Sequence, residues 1–118
     1  MAHKIIRQQG TKHMALILSE KYVTIKAYNT HDEAKSFLDK FICFDDYVEI
    51  NIGGLYITVE YKYLHFVDLD KLKLEGDMVK IGDKYLHQLV LSIEAPEKVK
   101  FCNGDMLDYR MLNLRIVY

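Results

Sequence analysis

The sequence predicts an α+β fold in which small antiparallel strands outnumber helices and one amphipathic helix stands near the N-terminus. Three observations carry this expectation. Short apolar runs alternate with polar residues and are separated by glycine-containing pairs, the pattern of hairpins. One stretch near residue 30 instead has the 3.6-residue period behind a capping sequence. The last thirty or so residues read as helix, strand, turn and helix. With 118 residues the chain fits one domain.

Residues 1–13, "MAHKIIRQQGTKH", carry Lys4, Arg7 and Lys12 with no acid and are expected to be a flexible basic arm, solvated rather than bound to phosphates. Ordered pattern is expected from Met14, so residues 14–118 form the domain. "MALILS" and "YVTIKAY" read as two strands, the second alternating Val23, Ile25 and Ala27 against Tyr22, Thr24 and Lys26. In "THDEAKSFLDKFI", Thr30 and Glu33 form a capping box, and Ala34, Phe37, Leu38, Phe41 and Ile42 make one helical stripe. "DYVEINIGGLYITVEYKY" is a hairpin turning at Gly53–Gly54, with Leu55, Ile57, Val59 and Tyr61 on one face. "KLKLEGDMVKIGDKY" repeats the device around Gly76–Asp77 and Gly82–Asp83.

The remaining segment carries the chemistry. "YLHQLVLSI" spaces Leu86, Leu89, Val90 and Ile93 as a short helix. After Pro96 come a strand, "KVKF", and a turn, "CNGD". Asp108 is placed to cap a last helix, "YRMLNLRIV", that buries Leu112 or Leu114 with Ile116. Residues 84–118 resemble the HNH homing endonucleases of phages and mobile introns, whose sequences commonly read "YLHRLI…VDHINGNxLDNRxxNLRIVT". Tyr85, Leu86, His87 and Leu89 match the first block. Asn103, Gly104, Leu107, Asp108, Arg110, Asn113, Leu114, Arg115, Ile116 and Val117 match the second, in register and without a gap. The resemblance implies a ββα-metal end to the fold.

The departures fall on the catalytic positions. Metal-assisted phosphodiester hydrolysis needs a base for water and a cation for the leaving oxygen. In the family the Asp of "DH" helps hold the metal and the His is the base; Lys100 and Phe101 stand there in this chain. A lysine repels the cation and a phenyl ring accepts no proton. Tyr109 replaces a loop-orienting asparagine. The family's sequences continue past "RIVT" to another metal ligand and a DNA-binding tail, whereas this one ends at Tyr118. His87, Asn103, Gly104, Asp108 and Asn113 are therefore expected as structural members of a degenerate motif, with no catalytic residue, metal or cofactor. His65 with Asp68 and Asp70 makes a poor metal cluster, because residues three apart on an extended segment face opposite ways. Glu75, Asp77 and Asp83 read as solvated turn residues.

Composition narrows the partner. Sixteen basic residues against 17 acidic ones leave a net charge of -1, without the basic excess of a dedicated nucleic-acid binder. Nine tyrosines suit a protein interface as well as sheet packing. The expectation is a non-catalytic accessory protein of a phage or mobile element that binds a protein partner, such as a host nuclease or defence component. The alternative is a DNA or RNA binder using Lys100, Arg110 and Arg115 on phosphates; a nuclease with an unrecognised site is the third. Cys43 and Cys102, with no metal-ligand spacing, suit a reducing cytosol, that of the host if the gene is phage-borne. No apolar run approaches a membrane span.

Overall fold

Antiparallel strands make up about half of the computed structural model, which describes residues 2–65, 69–76, 78–94 and 98–117. Eleven strands and two short α-helices are present among these residues, so the fold is predominantly β and the expected α+β class is corrected.

The first sheet joins β1 (His3–Gln9), β2 (Lys12–Leu18) and β3 (Val23–Tyr28) in sequence order. The expected N-terminal arm is thus a strand, paired along its length from His3↔Leu18 to Gln9↔Lys12. Gly10, at φ +62°, makes the turn. The basic residues of this strand also have work within the fold. Lys4 Nζ donates to the carbonyls of Leu38 (3.1 Å) and Phe41 (2.8 Å), where a helix ends and a strand begins.

That helix, α1 (His31–Leu38), starts as expected: Thr30 Oγ1 accepts from the Glu33 N–H at 3.2 Å. It stops earlier than its apolar stripe suggests. Phe41 and Ile42 belong to β4 (Phe41–Cys43), which pairs with β5 (Tyr47–Ile52) through Phe41↔Ile50 and Cys43↔Val48. A helix would set Phe41 and Ile42 on one face. The strand sends them to opposite faces, Phe41 buried and Ile42 exposed. β5 and β6 (Leu55–Glu60) form the expected hairpin, with Gly53 and Gly54 at φ +60° and +96°. Its buried face is Val48, Ile50, Ile57 and Val59. Leu55 is exposed at the turn, and Tyr61 is buried from a 3-10 turn that follows the strand.

The second glycine-punctuated segment gives β7 (Leu72–Glu75), β8 (Met78–Ile81) and β9 (Lys84–Tyr85), followed by α2 (Leu86–Leu91). Asp68, Asp77 and Pro96 lie outside the described residues.

The end of the chain departs most from expectation. No helix follows Asp108 among the described residues. A 3-10 turn at Met111–Asn113 leads into β11 (Leu114–Ile116), which pairs with β10 (Val99–Phe101). Short apolar runs fit helix and strand equally well by period, and the strand wins here because Phe101↔Leu114 closes a buried rung. Leu114 is buried, Ile116 is partly buried, and Leu112, expected as a possible core residue, is 81% exposed.

All of these elements share one core. Tyr109, fully buried, ties its far ends together: its ring meets Phe101 edge-on at 5.3 Å, and its hydroxyl accepts from the Val79 N–H at 3.1 Å.

Candidate functional site

Between β10 and β11 the chain makes a tight polar loop whose members hold one another. Gly104, at φ +80°, closes the turn with its N–H donating to Phe101 O at 2.9 Å. Asn103 Oδ1 accepts from Asp105 N (2.8 Å) and Asp105 Oδ1 from Leu107 N (2.9 Å). The segment Leu107–Tyr109 then lies along the outer edge of β6: Thr58 N donates to Leu107 O and Tyr109 N to Thr58 O. That contact satisfies the edge and carries Asp108 inward.

Asp108 is the node of the loop. Its carboxylate, almost wholly buried, accepts from Asn103 Nδ2 (2.9 Å) and from Arg110 N (3.2 Å), Nε (2.9 Å) and Nη2 (2.7 Å). Burial pushes the carboxyl's pKa up, but the hydrogen bonds and charge of Arg110, with Asn103, outweigh it and hold the group below the ordinary aspartate range. Asn113 closes the network. Its Oδ1 accepts from Asn103 N and its Nδ2 donates to Asp108 O, both at 2.9 Å. Three residues expected from the motif, Asn103, Asp108 and Asn113, thus meet in space. Asp108 caps no helix; it is a buried anion satisfied by its own loop.

Of the two residues that stand where the HNH pattern has its catalytic pair, one is in the core and the other is exposed. Phe101 points into the core against Tyr109, and Lys100, its strand neighbour, points out. Lys100 stands directly across from Arg115, so two cations share the exposed face of the β10–β11 ribbon. Arg115 also donates to the Leu114 carbonyl at 2.9 Å. Arg110 is not with them: its guanidinium is held by Asp108 and stacked over the Tyr47 ring at 4.9 Å. The Asp108 hydrogen bond raises its pKa further. His87 is buried in α2, its ring stacked on Tyr85 at 5.4 Å. His65 ends a 3-10 turn and touches the Tyr22 ring, while Asp70 is ion-paired with Lys26. No three His, Cys, Asp or Glu side chains gather as metal ligands among the described residues.

Beside the loop lies a groove of about 510 Å³. Asn103, Arg110 and Asn113 form one wall, Tyr47, Asp46 and Glu60 the other, and Leu112 stands at its rim. Glu60 Oε1 accepts from Met111 N at 2.7 Å, bracing the two walls.

Neither a protein-family model, nor a curated protein, nor a solved structure matches the chain.

The loop side of the groove was legible in the sequence, because its residues are the motif. The Tyr47–Glu60 wall was not. Those two residues face each other across the hairpin, but fifty or more residues of chain separate them from Arg110 and no local pattern links them. The described helices include none long and apolar enough to cross a membrane.

Proposed function

We propose that this chain is a non-catalytic, HNH-like accessory protein that binds a macromolecular partner, a protein before a nucleic acid, through the groove beside its 101–113 loop. The observation that carries the reading is the groove's lining. Tyr47, Arg110 and the protruding Leu112 are residue types that anchor protein interfaces or supply their apolar contact. Asp46 and Glu60 stand on the same surface and repel a phosphate backbone. Arg110, the cation nearest the groove, already has its charge met by Asp108.

The loss of catalysis is supported by Phe101. A histidine at that position would have to leave the core to reach a water, and Lys100 beside it offers a cation where the family's metal ligand stands. What remains of the motif is its polar scaffold, which presents the groove. The β10–β11 ribbon has no α-helix after it among the described residues, so the ββα end that the resemblance implies is not formed. A phage or mobile-element origin and a host nuclease or defence component as partner rest on the HNH resemblance, and a cytosolic place of action rests on the free thiols of Cys43 and Cys102.

The second reading, phosphate binding, is favoured by one observation, the Lys100–Arg115 pair on the ribbon's open face. Two measurements separate them. Affinity purification from the native host should recover a protein that survives nuclease treatment and is lost with Leu112→Asp. Titration of short duplex DNA at low salt should show no binding. Binding that weakens steeply with salt, with a slope reduced by about one in Lys100→Ala, would select the phosphate reading instead.

A further inference from the structure

Asn103–Gly104 is the one Asn–Gly pair in the sequence. The backbone nitrogen that follows an asparagine can attack the side-chain amide carbon and close a five-membered imide. Glycine is the most permissive successor, because without a Cβ it neither shields its nitrogen nor resists the rotation that ring closure needs. Water reaches the pair: Asn103 and Gly104 are both exposed, and a Cβ built on Gly104 would meet nothing within 4 Å. The loop nevertheless holds both reacting groups. The nucleophile is committed, since the Gly104 N–H donates to Phe101 O at 2.9 Å. The leaving group is committed too, since Asn103 Nδ2 donates to Asp108 Oδ2 at 2.9 Å. The Asn103 backbone N–H is fixed on Asn113 Oδ1, also at 2.9 Å. One contact favours the reaction instead: the Asp105 N–H, with its nitrogen 2.8 Å from Asn103 Oδ1, is placed to stabilise an oxyanion there.

We propose that Asn103 is a self-deamidation site, held dormant by the Asp108–Asn113 network, whose product cannot rebuild that network. In an opened loop the Gly104 nitrogen gives its proton to hydroxide and bonds to Asn103 Cγ. The Cγ–Nδ2 bond breaks, and ammonia leaves with a proton taken from water. Water then opens the imide at either carbonyl, leaving aspartate or isoaspartate; the net change is one water taken up and one ammonia released. The closed loop does not take the first step, because the Gly104 nitrogen must leave Phe101 O and turn onto Cγ. Conversion therefore proceeds at the open loop's rate multiplied by the fraction of molecules open. The product sets a carboxylate where Asn103 Nδ2 donated to the buried Asp108 carboxylate, and like charges at that distance repel. Residue 103 would join Asp105 and Asp108 as a third acid, while Arg110 is the only cation between residues 101 and 113 and is already bound to Asp108 through Nε and Nη2. Isoaspartate also lengthens the backbone by one carbon inside the turn that Gly104 closes. Either product takes apart the Asn103–Arg110 wall of the groove, whatever the groove binds.

The test incubates the full chain at mildly alkaline pH, folded and in urea, and reads residue 103 by peptide mass spectrometry. The folded wild type should convert about tenfold or more slowly than the unfolded chain, the ratio that about 1.4 kcal/mol of opening gives. Asn113→Ala and, separately, the isosteric Asp108→Asn each loosen one hold on the loop. Folded by circular dichroism, each should convert about fivefold or more faster than wild type, the factor for ~1 kcal/mol of lost hydrogen bonding. Thr30→Ala removes the α1 cap outside the loop and should leave the rate unchanged. Asn103→Asp, the product itself, should unfold at a lower urea concentration than Asn103→Ala, because repulsion adds to the lost donor. Folded wild type converting as fast as unfolded chain overturns the proposal. So does equal conversion in wild type and both loop variants, or equal acceleration by Thr30→Ala. An Asn103→Asp variant as stable as wild type overturns the claim that the product breaks the network.

Discussion

Replacing Asp108 by Ala distinguishes a buried polar node from a helix cap. As a cap, the residue would be worth about 1 kcal/mol. In the structure its carboxylate is 4% exposed and takes four hydrogen bonds from two residues. The Arg110 guanidinium is 43% exposed and regains water when the pair is broken, so that part is discounted to the ~0–1 kcal/mol of a surface pair. The bonds from Asn103 Nδ2 and the Arg110 N–H are part-buried and Asn103 is itself exposed, so each is taken at the low end for a hydrogen bond to a charged group, about 1.5 kcal/mol. The expected loss is therefore about 3 kcal/mol, or a fall in melting temperature of about 12 °C for a domain of this size. Urea unfolding of wild type, Asp108→Ala, Asn103→Ala and the double variant measures it, with a coupling between the two sites of roughly 0.5–3 kcal/mol. The pH dependence carries a sign. The folded-state pKa of Asp108 lies below the unfolded value of about 3.9, so its contribution is complete above that value and is lost as pH falls through the folded pKa. The gap between wild type and variant should be flat near neutrality and close in acid. A loss near 1 kcal/mol, additive with Asn103→Ala, would refute the node.

The same packing and pairing lead to three further expected outcomes. Phe101→His should not create Mg²⁺-dependent plasmid nicking and should destabilise the fold by roughly 1–3 kcal/mol, because an imidazole enters an apolar site; metal-dependent nicking by this variant would show that the site retains its chemistry. Lys100→Glu should stabilise by about 0.2–1 kcal/mol by exchanging a like-charge pair with Arg115 for an opposite one, and equal or lower stability in denaturant melts would show that the two cations do not sense each other. Tyr109→Phe should cost about 1–3 kcal/mol, since the buried Val79 N–H loses its acceptor, which thermal unfolding would register.

The elements whose signals are local were legible in the sequence. The Thr30 cap needs only the residues of one turn, and the Gly53–Gly54 hairpin needs only positive φ between alternating runs. The short helix at Leu86 and the Asn103–Gly104 turn are likewise written in a few adjacent residues. Where two local structures compete, only the tertiary structure decided. Phe41–Ile42 and Leu114–Ile116 fit a helical stripe as well as a strand, and each became a strand because a distant partner, Ile50 or Phe101, offered a rung that buried one side chain and freed its neighbour. Residues 3–9 lacked a clear strand signal because their basic groups suggest solvent. Pairing with residues 12–18 and the carbonyls awaiting Lys4 made them a strand. The motif residues were visible one by one, but whether Asp108 capped a helix or anchored a loop depended on where Thr58 drew the backbone. The groove depended on the hairpin that brings Tyr47 and Glu60 to Arg110. Local preference sets what a segment can form; the energy of closing a shared core selects among those forms.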